Sequence, residues 1–199
     1  TLAYDIENLC WSKKILSKVD IPADIFPECL DTFTVVGKVT KQAAEETGLR
    51  EGTLVVNGGG DQIMQAIGNG ITQPGTATVN IGSSGQVCFQ SNHPIKNPAL
   101  NTNSFCGCEK GRWIAMGATM SAGLSLSWIN RLLNENDYVR MNEDVSKVRP
   151  GSGGLIFLPY LNGERTPHVN PNLSAMFMGM NVNTGRPEVI RAVMEGVAF

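Results

Sequence analysis

The chain has 199 residues, of which 42% are hydrophobic and 17% charged, with a formal net charge of -2. That length holds one ordinary domain or parts of two, and the hydrophobic share is enough to bury a core. The near-neutral charge and lack of a basic block argue against nucleic-acid partners, whose non-specific binding is mostly electrostatic, and no apolar run reaches the ~18 residues that signal a membrane span.

Taken in order, residues 1–30 read as irregular chain, then a helix over Ser12–Lys18 with Ser12 as N-cap, then turns at Pro22 and Pro27. Trp11 reads as an anchoring core aromatic. Thr34–Val39 is a short strand interrupted by Gly37. Thr40 caps a helix over Lys41–Thr47 that Gly48 ends, with Glu45 and Glu46 facing solvent. Thr53–Val56 is short, β-branched and bounded by glycine, and reads as a buried strand. It runs into Asn57-Gly58-Gly59-Gly60-Asp61-Gln62, where Asp61 opens a helix with Ile63, Met64 and Ile67 on its apolar side. Gly68 and Gly70 end that helix. The turn Gln73-Pro74-Gly75 marks the domain junction.

Thr76–Ile81 and Gln86–Gln90 pair as strands around Gly82-Ser83-Ser84-Gly85. Residues 91–110 are polar and read as irregular. Within them Cys106 and Cys108 lack the further ligands of a four-coordinate zinc site, so no metal is assigned. The five cysteines are an odd number without framework spacing and read as reduced thiols. His93 has no acidic or nucleophilic neighbour in sequence. Arg112–Met116 reads as a third strand and Gly117-Ala118 as a turn into a helix over Ser121–Leu133, with Trp128 and Ile129 among its packed residues. A charged connector with a short helix over Met141–Val148 follows. Leu155–Leu158 is a strand, Pro159–Pro167 a loop carrying Glu164 and Arg165, and Met176–Val182 another strand. The last helix starts at Thr184 or Gly185, with Pro187 in its first turn.

Two stretches carry chemistry. Open α/β sheets place ligands at the loops that follow strand C-termini, and glycines let a ligand approach the backbone. Three glycines that deliver one carboxylate, Asp61, suit a general base. A helix N-terminus also favours an anionic side chain, and the residue can serve as helix cap and base together. Successive N–H groups of the Gly82–Gly85 turn, with two hydroxyls, can cradle anionic oxygens, although the same four residues also make an ordinary hairpin turn. The turn is not a P-loop, because no G-x-x-x-x-G-K-[ST] pattern is present, and no dinucleotide fingerprint occurs. Base and cradle together point to phosphoryl transfer to a hydroxyl.

Four runs in this order resemble the FGGY carbohydrate kinases: G-G-G-D-Q (58–62), N-I-G-S-S-G (80–85), G-L-I-F-L-P-Y-L-N-G-E-R-T-P-H (154–168) and R-A-V-M-E-G-V-A-F (191–199). Within that family the similarity is greatest to kinases of D-xylulose. The resemblance implies an α/β chain of ribonuclease-H-like, actin-like ATPase fold. It makes Asp61 the catalytic base, brings Gly82, Ser83, Ser84 and Gly85 to the ATP phosphates and Gly117 near the nucleotide, and sets Gly60 and Gln62 beside the substrate. Ser83 stands where the family usually has Thr, which keeps the hydroxyl. The resemblance also implies ATP and Mg²⁺ as cofactors, a small sugar as partner and a cytoplasmic location, and it admits a homodimer.

The family's opening D-x-G-T run is not found. The chain is therefore expected to be an internal fragment holding incomplete parts of two domains, inactive on its own. Residues 1–73 would be the C-terminal portion of the first domain and 74–199 the N-terminal portion of the second. The expected function of the whole protein is ATP-dependent conversion of D-xylulose to D-xylulose 5-phosphate. Ribulose, gluconate and glycerol stay open as substrates. An inactive nucleotide-binding fragment and an actin-like structural protein stay open as other classes. No chemical step follows for Glu164, Arg165 or His168.

Overall fold

The computed structural model describes residues 3–97, 99 and 101–199. The chain divides into two compact units. The first comprises Thr1–Ala77, Phe89–Lys96 and Ser104–Ala115, and the second Thr78–Cys88, Asn97–Asn103 and Met116–Phe199. This corrects the expected fold class of incomplete domain parts: each unit is compact and buries residues of its own, Leu16, Ile63, Ala66 and Ile114 in the first and Ile129, Phe157 and Val193 in the second. No helix among the described residues is long and apolar enough to cross a membrane.

In the first unit β1 (Tyr4–Asp5) pairs antiparallel with β2 (Cys10–Trp11), a ladder too short to leave a sequence signal. Trp11 anchors the segment: its ring lies 4.5 Å from that of Phe26 and 5.5 Å from that of Tyr4, and its Nε1–H donates to the Pro27 carbonyl at 2.8 Å. Helix α1 (Lys13–Lys18) begins at Ser12, whose hydroxyl accepts from the Ile15 amide, one of the donors a helix start leaves unpaired. β3 (Val35–Lys38), α2 (Lys41–Thr47) and β4 (Leu54–Val56) follow. Thr40 caps the start of α2 and Gly48, at φ 75, ends it in the left-handed region.

β3 and β4 form an antiparallel ribbon with a register shift between Val35 and Gly37. The expectation that β4 is buried is corrected: Leu54, Val55 and Val56 are 58, 41 and 54% exposed. Their apolar, mostly β-branched run marks a strand but does not say what covers it, and β4 pairs within a sheet of two strands. Helix α3 (Asp61–Gly68) buries Ile63 and Ala66.

β5 (Ala77–Ile81), β6 (Gly85–Ser91), β7 (Asn103–Cys106) and β8 (Trp113–Thr119) form a four-stranded sheet in the order β5–β6–β8–β7. β7 lies in the stretch expected to be irregular. It is an edge strand of sequence Asn-Ser-Phe-Cys, with no run of alternating apolar residues to announce it. The expected turn at Gly117-Ala118 is also corrected. The strand continues to Thr119 because Thr166 pairs with Ala118: the Thr166 amide donates to the Ala118 carbonyl at 2.9 Å, and the Ala118 amide donates to Thr166 Oγ1 at 3.1 Å.

The second unit adds α4 (Gly123–Leu132), α5 (Tyr138–Ser146), β9 (Ile156–Leu158), β10 (Met176–Met178) and α6 (Arg186–Ala198). β9 and β10 pair antiparallel. Ile129 of α4, Phe157 of β9 and Val193 of α6 share one core, where the Phe157 ring lies 4.6 Å from Phe177 and 6.0 Å from Trp128. Met141, Val145 and Ile190 pack α5 on α6. Pro187 sits in the first turn of α6, and Glu188 accepts from the Gly185 amide at 3.0 Å.

Glu195 fastens α6 to the turn at Gly151–Ser152. Its carboxylate accepts from Arg191 Nε at 2.8 Å and from the Gly151 amide and the Ser152 hydroxyl, both at 3.0 Å. Burial pushes this carboxyl up, but the three donors outweigh burial and hold it below the usual carboxylate range. A depressed carboxyl contributes stability that is present above its unfolded pKa of ~4.3 and lost as pH falls through the folded value. Glu195→Gln should lower the thermal midpoint by roughly 2–6 °C near neutral pH. The gap from wild type should shrink below about pH 4, as circular dichroism melts at the two pH values will report. A gap independent of pH would mean that the charge of Glu195 is not what stabilises the turn.

Candidate active site

In the first unit the end of β4 is tied to the chain before β3. The Asn57 amide donates to the Thr34 carbonyl at 2.9 Å, Asn57 Nδ2 to the Leu30 carbonyl at 2.8 Å, and the Gly58 amide to the Thr32 carbonyl at 2.9 Å. The three glycines that follow have different reasons to be there. Gly58 has φ 73, a region side chains avoid. A Cβ on Gly59 would fall 2.8 Å from Met64 Cε, whereas a Cβ on Gly60 would meet nothing within 4 Å. Open space therefore lies beside the start of α3.

Gly60, not Asp61, is the N-cap of that helix. Its carbonyl accepts from the Ile63 and Met64 amides at 3.0 Å, and Asp61 is the first helical residue. Asp61 is exposed, and its Oδ1 accepts from the Gln62 amide at 2.7 Å. Oδ2 has no hydrogen-bond partner among the described residues. A carboxylate with one oxygen free beside open space can take a proton from an incoming hydroxyl.

In the second unit the Gly82–Gly85 turn links β5 to β6. The Gly82 amide donates to the Ser84 carbonyl at 2.9 Å. The turn's other carbonyls serve α4: the Gly123 amide donates to the Gly82 carbonyl at 2.9 Å, and the Ala122 and Leu124 amides donate to the Ser83 carbonyl at 3.0 and 3.1 Å. Donors that a helix start leaves unpaired are thus taken up by the turn. An anion bound here would meet the turn's own amides and the exposed Ser83 and Ser84 hydroxyls, rather than the end of α4. The approach is close. A Cβ on Gly123 would lie 2.6 Å from the Gly82 carbonyl oxygen, and one on Gly85 would lie 2.7 Å from Thr119 Cγ2 and 3.3 Å from Ala122 Cβ. Gly117 lies inside β8, where a Cβ would sit 3.0 Å from Thr166 Cγ2.

Sequence reasoning gave Glu164 no chemical step and read the Glu164-Arg165 pair only as fastening its loop by hydrogen bonds, and the structure names the partners. It is 5% exposed. Its Oε2 accepts from the Thr119 hydroxyl at 2.6 Å, and its Oε1 accepts from the Met120 amide at 2.9 Å and the Arg165 amide at 2.6 Å. Two of those donors lie more than forty residues away in sequence, and no local pattern announces them. Nearby, Tyr160 Oη and His168 Nε2 are 3.1 Å apart at the surface.

Burial pushes the Cys106 and Cys108 thiols up. Among the described residues no group of three or more His, Cys, Asp or Glu could hold a metal ion.

The α/β architecture is that of the actin-like ATPases. Residues 77–199 match the C-terminal domain of the FGGY family of carbohydrate kinases, and residues 1–68 match its N-terminal domain. The chain belongs to that family. It is 34% identical to a xylulose kinase of Bacillus subtilis, across 100% of this chain and 40% of that protein. The crystal structure of xylulose kinase from Rhodospirillum rubrum matches with a TM-score of 0.85 at 28% identity, covering 98% of this chain and 39% of that one. Gluconate kinase from Lactobacillus acidophilus, with a TM-score of 0.89 at 24% identity, shares the fold. These matches correct the expectation of an internal fragment with incomplete domains, because both family domains are matched and nearly the whole chain takes part. The chain spans about two fifths of the length of the relatives it matches, 40% for the Bacillus subtilis protein.

The contact between Gly85 and Thr119 is directly testable. Gly85→Ala forces a Cβ against the Thr119 methyl and should cost roughly 1–3 kcal/mol in urea unfolding. Adding Thr119→Ser, which removes that methyl, should recover at least half of the loss. Additive losses in the double variant would refute the contact.

Proposed function

We propose that the protein transfers the γ-phosphoryl group of ATP to a hydroxyl of D-xylulose, giving D-xylulose 5-phosphate and ADP. The observation that carries this reading is Asp61 at the first position of α3, with Oδ2 unpartnered among the described residues and open space at Gly60. Oδ2 takes the hydroxyl proton as the sugar oxygen bonds to the γ-phosphorus and the bond from that phosphorus to the β–γ bridging oxygen breaks. Such transfers depend mainly on positioning and charge stabilisation. Ser83, Ser84 and Gly85 hold phosphate oxygens through amides and hydroxyls, Gly82 closes the turn with its amide on the Ser84 carbonyl, Gly117 borders the nucleotide, and Gly60 and Gln62 border the sugar.

Mg²⁺ supplies charge neutralisation in this chemistry. The described residues offer no three-ligand group for it, and none is assigned to it. The domain junction is placed between residues 73 and 74, supported by the turn there and by family matches that end at 68 and resume at 77. The choice of D-xylulose is supported by identity to proteins named as xylulose kinases.

The test is ADP release by the whole gene product on D-xylulose, ribulose, gluconate and glycerol. A peak on another polyol would keep the mechanism and change the substrate. Asp61→Ala should lose roughly 10²–10⁴-fold in rate with its melting curve unchanged. A variant within about threefold of wild type would remove Asp61 from the chemistry.

Gly60→Ala separates folding from substrate access. Its Cβ meets nothing, so unfolding free energy should stay within about 0.5 kcal/mol of wild type. The KM for sugar should nevertheless rise. An unchanged KM would place the sugar elsewhere.

A further inference from the structure

We infer that Glu164 is a positioning residue for the phosphate-binding turn, acting through Thr119. The inference rests on the proposed assignment of phosphate to Gly82–Gly85.

A carboxylate leaves water only where donors replace the water. Glu164 is 5% exposed and has three donors, the Thr119 hydroxyl and the Met120 and Arg165 amides, none of them a cation. Both of its oxygens are engaged, so it is poorly placed to take a proton from substrate. Two of its donors lie on the short passage from the end of β8 at Thr119 to the start of α4 at Gly123. That passage holds the candidate phosphate turn. Ala122 and Gly123 donate to the carbonyls of Ser83 and Gly82.

Thr119 connects the two ends of this arrangement. Its Oγ1 and Cγ2 share one carbon, so fixing the hydroxyl fixes the methyl. The hydroxyl is held 2.6 Å from Glu164 Oε2. The methyl then sits 2.7 Å from where a Cβ on Gly85 would be, forming the wall behind the turn. Thr166 adds a second clamp one residue earlier through its two hydrogen bonds to Ala118. The Thr166 hydroxyl donates in turn to the Asn101 carbonyl. Without the Glu164 carboxylate, Thr119 is free to rotate and Met120 loses its acceptor, so the turn loses its backing while its own sequence is intact.

The test is titration of the whole gene product with the imido analogue of ATP by calorimetry, alongside thermal melts and the KM for sugar. Glu164→Ala should weaken analogue binding roughly 10- to 100-fold, as small displacements of a binding group do. It should leave the KM for sugar within about twofold. Glu164→Gln keeps an acceptor for the Met120 and Arg165 amides, and its Nε2 can donate to Thr119 Oγ1 so that the contact persists with its direction reversed, and it should bind within about threefold of wild type. Should Glu164→Ala not fold, Thr119→Val keeps the methyl and removes the hydroxyl, and should still weaken the analogue about 3- to 10-fold. A folded Glu164→Ala protein, or failing that Thr119→Val, that binds the analogue as wild type does would overturn the inference and leave the phosphate assignment standing. Wild-type protein that binds no analogue would overturn the assignment and the inference together.

Discussion

The carbonyls of Gly82 and Ser83 accept from the amides of Ala122, Gly123 and Leu124. A helix start has to find partners for its first amides, and α4 finds them in the turn between β5 and β6. This exchange constrains much of the second unit. It needs glycine at Gly123 and Gly85, because a Cβ at either would lie under 3.0 Å from its neighbour. It sets the position at which α4 enters the core, where Ile129 packs with Phe157 and Val193. It also requires the chain from Ala118 to Gly123 to be held from behind, by Thr166 at Ala118 and by Glu164 at Thr119 and Met120. The candidate phosphate turn is therefore part of a hydrogen-bonded assembly.

The first unit handles its glycines differently. Backbone conformation explains Gly58 and packing explains Gly59, but Gly60 answers to neither and leaves room beside Asp61. An acid placed at the first helical position, with the cap supplied by a neighbouring backbone, has one oxygen to spare. The proposed function would give these features a common chemistry, phosphoryl transfer to a hydroxyl, within which the sugar itself is the least constrained part of the proposal.

Much of the fold was legible because its signals are local. Ser12 and Thr40 cap the helices they were read to cap, Gly48 ends α2 in the left-handed region, and Pro187 lies in the first turn of α6. What was missed depends on partners far along the chain. The burial of β4 could not be read from its own residues. β8 extends past Gly117 because Thr166 pairs with it, and β7 is a polar edge strand without periodicity. The choice between cap and first helical residue at Gly60-Asp61 turns on one residue of register, which composition does not fix. Of the candidate site residues, Asp61 and the Gly82–Gly85 turn stood out through glycine spacing and family resemblance. Glu164 did not, because its role is defined by Thr119 and Met120 on another element.

The central claim is that the Gly82–Gly85 turn receives phosphate through its own backbone while α4 is closed off by the turn's carbonyls. Amide hydrogen exchange, followed residue by residue with and without ATP, tests it most directly. The account predicts that ATP slows exchange at Ser83, Ser84 and Gly85 and leaves the already bonded amides of Ala122, Gly123 and Leu124 nearly unchanged. Slowing at the start of α4 with no change in the turn would contradict it.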